Sequence, residues 1–540
     1  MSRSKIALLP PVVFLAGIAS MSLQLVGSRL LAPHFGNSIF VWTSLIGVML
    51  GFMAFGNFIG GRLADRRTSP DLLFWVLLFL SASISLVAMI GAFSLGFFTA
   101  IPSLRTGMVL GSVALFAIPC TLFGIVVPAS IRLRMQTVAD SGANVGSLSA
   151  ISMMGNIVGT FATGFWLVAL VGSRSLLAWL ALLILLLAAI MGISIRPQRA
   201  AAWWAGEHRG SSTPKKLVAL AVGAVLIVGA FIWHPQSPNL TGFRLFDTQY
   251  GLYSVGESQM TSRTTLGHDG QPVQELVRFL SNSPRAMESA VYADSLQPFF
   301  FEYYNFYDIA ARLAADQVGE EGQLDALMIG GGAFVYPRFF FQHYPHAHMD
   351  VVEIDGALVT EAEASFGFVQ PDNMNIYLED GRMFLNRAAG QGLAGSYDVL
   401  ILDAFNSANN VPFQLTTLES MQHAAQLLTD DGILVMNMIV SVGGEGSQFL
   451  ASQYMTLRSV FPQVETYVVR AGDVEPGTPR NVSIIAKKSN AIDLRRSIEA
   501  LQPELASQRI EPTSIVDVPG AMVLTDDFAP VDQMLLAVNR

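Results

Sequence analysis

The chain has 540 residues, more than one hydrophobic core organises, so two or more domains are expected. A hydrophobic fraction of 52% with 14% charged residues excludes a wholly soluble protein, and the single cysteine, Cys120, excludes an internal disulfide or a cysteine metal cluster. Residues 1–216 carry 15 Lys+Arg against 4 Asp+Glu, and residues 240–540 carry 17 against 37; so acidic a second half excludes nucleic acid as its partner, because phosphate contacts need the opposite sign.

Seven apolar stretches, at about 6–31, 39–61, 72–98, 107–131, 146–171, 174–195 and 217–233, are long enough to cross ~30 Å of hydrocarbon. Arg3 and Lys5 precede the first, and no small-residue cleavage site closes it, which predicts a retained span. Twelve basic residues fall on one side of the spans, and only Arg29, Arg105 and Arg174 on the other. The positive-inside rule then puts the amino terminus in the cytoplasm of a multi-pass protein, as in a bacterial inner membrane. Seven crossings would carry the acidic half out of the cytoplasm. If the short last stretch lies in the membrane without crossing, that half stays inside; both alternatives stay open. Small residues recur at Gly47–Gly51, Gly56–Gly60 and Gly155–Gly159, a spacing that predicts close helix packing. Gln24, Arg29, His34, Asn57 and Asn156 are polar within or near the spans; a substrate path through them is the less favoured reading.

Residues 234–244 read as a linker, followed by a strand over Tyr250–Val255 and a hairpin turn at Asp269-Gly270. Tyr292, Tyr303, Tyr304 and Tyr307 come next at partly helical spacing and are expected in the core or at its rim. An apolar run, Leu324–Ile329, then meets Gly330, Gly331 and Gly332; a helix-like segment, Phe334–Tyr344, and a second apolar run, Met349–Ile354, follow. That is a βαβ unit with a nucleoside-binding turn, and Glu353 stands where an acid can accept both ribose hydroxyls. The alternation continues. A strand over Asn375–Leu378 ends at Glu379-Asp380-Gly381, a helix runs to about Ala389, and a strand over Tyr397–Leu402 ends at Asp403. A helix over Thr416–Leu428, a turn at Asp431-Gly432 and a strand over Ile433–Met438 complete it. The fold class predicted is an α-helical membrane domain of about seven spans followed by an α/β Rossmann-like domain, a parallel sheet with helices on both faces, after a small β-rich lead-in. The domains expected are 1–235, a linker and lead-in at 236–300, and a nucleotide-binding domain at 301–540. Gly330–Gly332, Glu353, Asp380 and Asp403 all fall at strand ends and should line one crevice.

Assembled, these stretches resemble the spermidine synthase (polyamine aminopropyltransferase) family of the class I S-adenosylmethionine-dependent fold, over roughly 245–470. With the apolar half, the chain resembles membrane-fused spermidine synthase-like proteins. The resemblance implies a co-substrate, S-adenosylmethionine or its decarboxylated form, held by Gly330, Gly331, Gly332, Glu353, Asp380 and Gly381, with no metal. It implies Asp403 as the base that takes the proton from an attacking amine, and Gln274, Tyr292 and Asn406 as substrate contacts. Methylthioadenosine would leave. The chain departs from the family where an acid that binds the aminopropyl ammonium becomes Ala333, and where a second acid becomes Asn406. Both changes favour intact S-adenosylmethionine as donor, in a lyase or transfer reaction, while a non-catalytic ligand sensor is the third alternative. Acids of the tail Leu524–Asp532 folding back to replace the lost carboxylates is the less favoured reading. The partners expected are the lipid bilayer and a small amine or S-adenosylmethionine-type substrate, with a homo-oligomer left open.

Overall fold

The computed structural model describes residues 7–36, 38–66, 69–99, 101, 103–135, 141–194, 213–232, 244–266, 272–282, 287–293, 299–319, 322–404, 411–469 and 478–538. Internal contacts divide the chain into unit 1, Met1–Ser237 with Asp247–Gly251, and unit 2, Pro238–Phe246 with Leu252–Arg540.

Unit 1 is built from helices α1 (Leu9–Phe35), α2 (Ile39–Arg66), α3 (Pro70–Phe98), α4 (Leu104–Arg134), α5 (Ser141–Ala162), α6 (Ser173–Ser194) and α7 (Thr213–Ile232). A π-helical turn, Thr163–Leu167, carries α5 on to Val171. Seven of these helical segments are long and apolar enough to cross a membrane. Ser69 and Ser103 cap α3 and α4 by accepting from the amides of Asp71 and Thr106, satisfying donors that a helix leaves over. The interior is apolar, and so are outward faces: Phe55, Phe165, Trp166 and Leu170 are exposed. Helices apolar all round have no stable place in water.

The small-residue stripes divide by partner. Gly56 and Gly60 abut α4, and Gly155 and Gly159 abut α1, where any Cβ would meet backbone. Gly47 and Gly51 do not pack as their spacing predicts: a Cβ on either would meet nothing within 4 Å. A four-residue repeat gives a helix a smooth face without supplying a helix to fill it. The shortest span, α7, runs alongside α3 in the same direction. Lys216 pairs with Asp71 at the start of both, Gly223 lies beside Leu78, and Gly229 lies beside Met89. This helix, 20 residues against 29, follows its neighbour from the start as far as about Met89. Asp247, also part of unit 1, pairs with Arg29 at 3.4 Å.

Unit 2 opens with a four-stranded sheet of order β1 (Arg244–Asp247), β2 (Leu252–Leu266), β3 (Pro272–Ser281) and β4 (Ser289–Tyr292). β2, β3 and β4 pair antiparallel; the turn expected at Asp269-Gly270 lies outside the described residues. Helix α8 (Tyr304–Val318) follows, and then strands and helices alternate: β5 (Asp325–Ile329), α9 (Val335–His343), β6 (His348–Glu353), α10 (Gly356–Ser365), β7 (Met374–Leu378), α11 (Gly381–Ala388), β8 (Tyr397–Leu402), α12 (Leu418–Leu427), β9 (Leu428–Ser441), α13 (Gln448–Arg458), β10 (Gln463–Val468) and β11 (Pro479–Lys487). The sheet order is β10-β11-β9-β8-β5-β6-β7. Residues of β5 face two cores in turn, Ala326 and Met328 one, Leu327 and Ile329 the other. That is why its sequence reads as an unbroken apolar run.

Two features differ from the sequence reading. The sheet is mixed, because β11 lies antiparallel between β9 and β10. Hydrophobic periodicity does not distinguish strand direction, and β10 and β11 lie beyond the elements read from it. Asp431-Gly432 is not a turn before a strand. β9 begins at Leu428, and the register with β8 slips from Tyr397↔Leu428 to Val399↔Ile433, so the pair sits in an irregular stretch inside the strand.

Candidate active site

Three parallel strands end together, and their ends carry the acids. The chain leaves β5 through Gly330, whose φ of +93° suits glycine. A Cβ there would lie 2.3 Å from the Asp403 carbonyl oxygen, at the end of β8. The Asp403 amide donates to the Ile329 carbonyl at 2.9 Å, so the glycine turn and Asp403 are fixed against each other by backbone. Gly332 is also left-handed (φ +52°), and so is Phe334 (φ +54°), a conformation costly for a residue with a side chain.

Glu353 ends β6 and is 6% exposed. Its Oε2 accepts from the amides of Gly331 (2.8 Å) and Gly332 (3.1 Å), and its Oε1 from Asp355 (3.0 Å). A carboxylate has about four acceptor positions, so one remains. The amides of the glycine turn and of Asp355 occupy the others. Burial raises its pKa, and the three amides oppose that. Asp380 caps α11, accepting from the Met383 amide at 3.0 Å. Gly381 lies against Ile329, where a Cβ would approach within 2.5 Å. Leu378 and Met383, flanking Asp380, are large apolar side chains left exposed.

Asp403 has its pKa pushed up to about 6 by burial, with Tyr307 and Asn437 pulling it back. Asn437 Nδ2 donates to its Oδ1 across 3.5 Å, a long contact. The Tyr307 phenol lies against the carboxylate without a hydrogen bond of ordinary geometry. Tyr303 and Tyr304 pack edge-to-face on Tyr307, and the charge of Asp403 helps to raise the pKa of all three phenols, after burial. A further acid, Glu288, has its pKa raised well above normal, first by burial and then by Glu353, Asp403 and Asp355. Its amide donates to the Leu280 carbonyl at 2.9 Å. The next residue, Ser289, accepts from the Ala333 amide at 3.1 Å, tying β4 to the glycine turn.

The structure thus gathers Gly330, Gly331, Gly332, Glu353, Gly381 and Asp403, with Asp380 at the adjoining strand end. It does not gather Gln274 or Tyr292. Gln274 is exposed in β3, bonded to Thr261 at 2.8 Å, roughly 20 Å along the strand from Leu280 at ~3.3 Å per residue. Its place after an Asp-Gly pair suggested the site; the strand carries it away. Tyr292 packs on Phe300 inside the small sheet. Asn406 lies outside the described residues. Missed from the sequence as site residues were Glu288, Tyr303, Tyr304, Tyr307 and Asn437; a lone polar residue in the apolar run Ile433–Val440, at Asn437, was an available signal. The tail does fold back, but Asp526 is bound by Arg382 at 2.5 Å and by Thr417 at 2.7 Å, so that acid is neutralised rather than offered to the site.

No family model matches the chain. It is 32% identical over 218 residues to the polyamine aminopropyltransferase of Vibrio vulnificus, covering 38% of this chain and 68% of that one. The probable polyamine aminopropyl transferase of Bifidobacterium longum is 25% identical over 342 residues, 59% of this chain and 69% of that one. A shorter similarity, 30% over 145 residues, covers 26% of this chain and 20% of the eEF1A lysine and N-terminal methyltransferase of Homo sapiens. Among solved structures, a probable spermidine synthase from Corynebacterium glutamicum superposes with a TM-score of 0.41 and 20% identity, over 53% of this chain and 97% of that one. That score is too low to add to what the strand order says.

Proposed function

This chain belongs to the polyamine aminopropyltransferase family, and on that footing we propose that unit 2 moves an aminopropyl group from decarboxylated S-adenosylmethionine to an amine, releasing methylthioadenosine. The bound donor supplies a carbon made electrophilic by its sulfonium. The free acceptor position of Glu353 takes a ribose hydroxyl, and Asp380 with Leu378 and Met383 forms the wall for the adenine. Asp403 accepts a proton from the acceptor's ammonium. The freed lone pair forms the new N–C bond as the C–S bond breaks, leaving a neutral thioether. The carboxylate also steadies the cations it faces. The observation that carries this reading is Asp403 itself, a buried carboxylate at about 6, locked by backbone to the glycine turn. A group so placed is ionised at neutral pH yet basic enough to hold a proton briefly.

Ala333 favours a second reading. It is 1% exposed and adds no charge of its own to the turn, where an acid would add to the repulsion felt by the carboxylate of intact S-adenosylmethionine. A product assay on the purified full chain separates the two. Each donor form is offered with and without putrescine or spermidine. Amine-dependent methylthioadenosine from the decarboxylated donor alone supports the transferase; methylthioadenosine from the intact donor without amine overturns it.

Unit 1 is, in this proposal, a seven-span membrane bundle with its amino terminus in the cytoplasm and unit 2 on the other side. The parallel course of α3 and α7 and the arginines at the ends of α2 and α4 support that orientation. A carboxyl-terminal alkaline phosphatase fusion should be active; an inactive phosphatase with a fluorescent cytoplasmic reporter would overturn it.

A further inference from the structure

Unit 1 repeats itself. Helix α2 carries Gly56-Asn57-Phe58-Ile59-Gly60 and α5 carries Gly155-Asn156-Ile157-Val158-Gly159. The two segments pack the same way on different partners, α2 along α4 and α5 along α1, while α3 packs along α6. A Cβ on Gly56 would lie 2.1 Å from the Thr121 carbonyl oxygen; one on Gly155 would lie 2.1 Å from that of Phe14. Gly60 meets Ile125 as Gly159 meets Ile18, and Gly124 meets the Met53 carbonyl as Gly17 meets that of Ser152. One constant shift in numbering relates α1 to α4 in every such pair, and another relates α2 to α5. The bundle is therefore two three-helix repeats, α1–α3 and α4–α6. An odd number of helices gives the second repeat the opposite sense in a membrane.

A cavity of about 240 Å³ lies between the repeats, lined by α1, α2, α4 and α5. Equivalent positions of the two repeats both line it: Asn57 and Asn156, Met53 and Ser152, Gly17 and Gly124. Neither Asn carboxamide hydrogen-bonds to a described residue, although Asn156 stands ~22 Å from either end of its helix at 1.5 Å per residue. An amide at that depth without a partner is costly and points to an occupant. Among the described residues, the lining holds no Asp, Glu, Lys, Arg or His. A polyamine or a sulfonium donor would enter as an unpaired cation, so the cavity is not built for the substrates of unit 2. Two carboxamides present the paired donor and acceptor that match the edge of an adenine, and Met53, Phe123 and Val126 offer an apolar surface for a thioether arm.

We propose that the cavity between the two repeats binds an uncharged nucleoside, the class to which methylthioadenosine belongs. The choice of that nucleoside rests on the reaction proposed above for unit 2; the repeat, the cavity and its neutrality do not.

The test is maleimide labelling of Ser152→Cys in the full chain in detergent, with Ser149→Cys as a second lining position. The native Cys120 is buried, so the unsubstituted protein is the blank. The cysteine should label, and methylthioadenosine at roughly nine times its Kd should slow labelling about tenfold. Putrescine should not, and Asn57→Ala or Asn156→Ala should remove the protection. Absence of labelling at both positions overturns the cavity. Labelling without protection, protection by putrescine, or protection that survives both Asn→Ala changes overturns the nucleoside site. Labelling needs no turnover, so protection in a chain that releases no methylthioadenosine keeps the site and sinks the reaction instead.

Discussion

Replacing Asp403 by Asn should separate catalysis from stability in opposite directions. The side chain keeps its shape, so the contacts of Gly330 and Ile329 with the backbone at 403 persist. In the wild type, burial raises the carboxyl from 3.8 to about 6. A raised folded-state pKa favours the protonated form, so its stabilising effect is complete below the unfolded value and is lost as pH rises through about 6. At about 1.4 kcal/mol per unit, the ionised wild type at pH 8 gives up roughly 3 kcal/mol that it holds at pH 3. Asp403→Asn does not titrate and should escape that loss. Hydrogen exchange followed by mass spectrometry on β8 and β9 peptides, comparing both proteins at each pH, should show the variant better protected at pH 8 by up to ~3 kcal/mol. The difference should close below about pH 4. Methylthioadenosine release should fall by about 10²–10⁴, and in the wild type kcat/KM should drop about tenfold per pH unit below 6. A variant that turns over normally, or that is less protected than wild type at pH 8, would refute the assignment of Asp403 as a buried base.

Gly330→Ala puts a methyl group 2.3 Å from the Asp403 carbonyl at a φ that alanine resists, and should cost at least ~1–3 kcal/mol while abolishing donor binding by calorimetry. Burial and the neighbouring acids Glu353, Asp403 and Asp355 favour the protonated form of Glu288, so its neutral isostere Glu288→Gln should keep kcat/KM within about threefold; a tenfold loss would show that it works as an anion. Gly155→Leu should abolish the monodisperse peak of the detergent-solubilised chain in size-exclusion chromatography, because its Cβ meets the Phe14 carbonyl. Gly51→Leu, facing open space, should leave that peak unchanged.

The strands around the glycine turn were legible because each is buried on both faces and reads as an apolar run with its chemistry at its carboxyl end. Glu353 and Asp403 were found that way. Glu288 was not, because β4 is four residues long and comes to the turn through Ser289, a contact that no spacing encodes. The tyrosines were read as core or rim and are buried; that the Tyr307 hydroxyl lies against Asp403 depends on how α8 packs. Gln274 misled because a hairpin dipeptide fixes a local turn but not where the strand ends point. In unit 1 both Gly-Asn-x-x-Gly segments stood in plain sight, yet a small-residue spacing becomes a repeat only when the partners on α1 and α4 are known.

The place of β5 in the sheet bears on how unit 2 is made. It is the first strand of the seven in the chain, and it ends up inside the sheet, between β8 and β6. Its first neighbour, β6, follows closely, but its second, β8, pairs Val399 with Ala326 across about 70 residues. Until β8 is synthesised and docked, one edge of an apolar strand stays open to any other strand nearby. Closing so long a loop is slow. Substitutions in β8 should therefore lower the yield of folded chain more than they weaken the chain that has folded, and a cell under heat or overproduction would lose this protein to aggregation during synthesis rather than to unfolding afterwards.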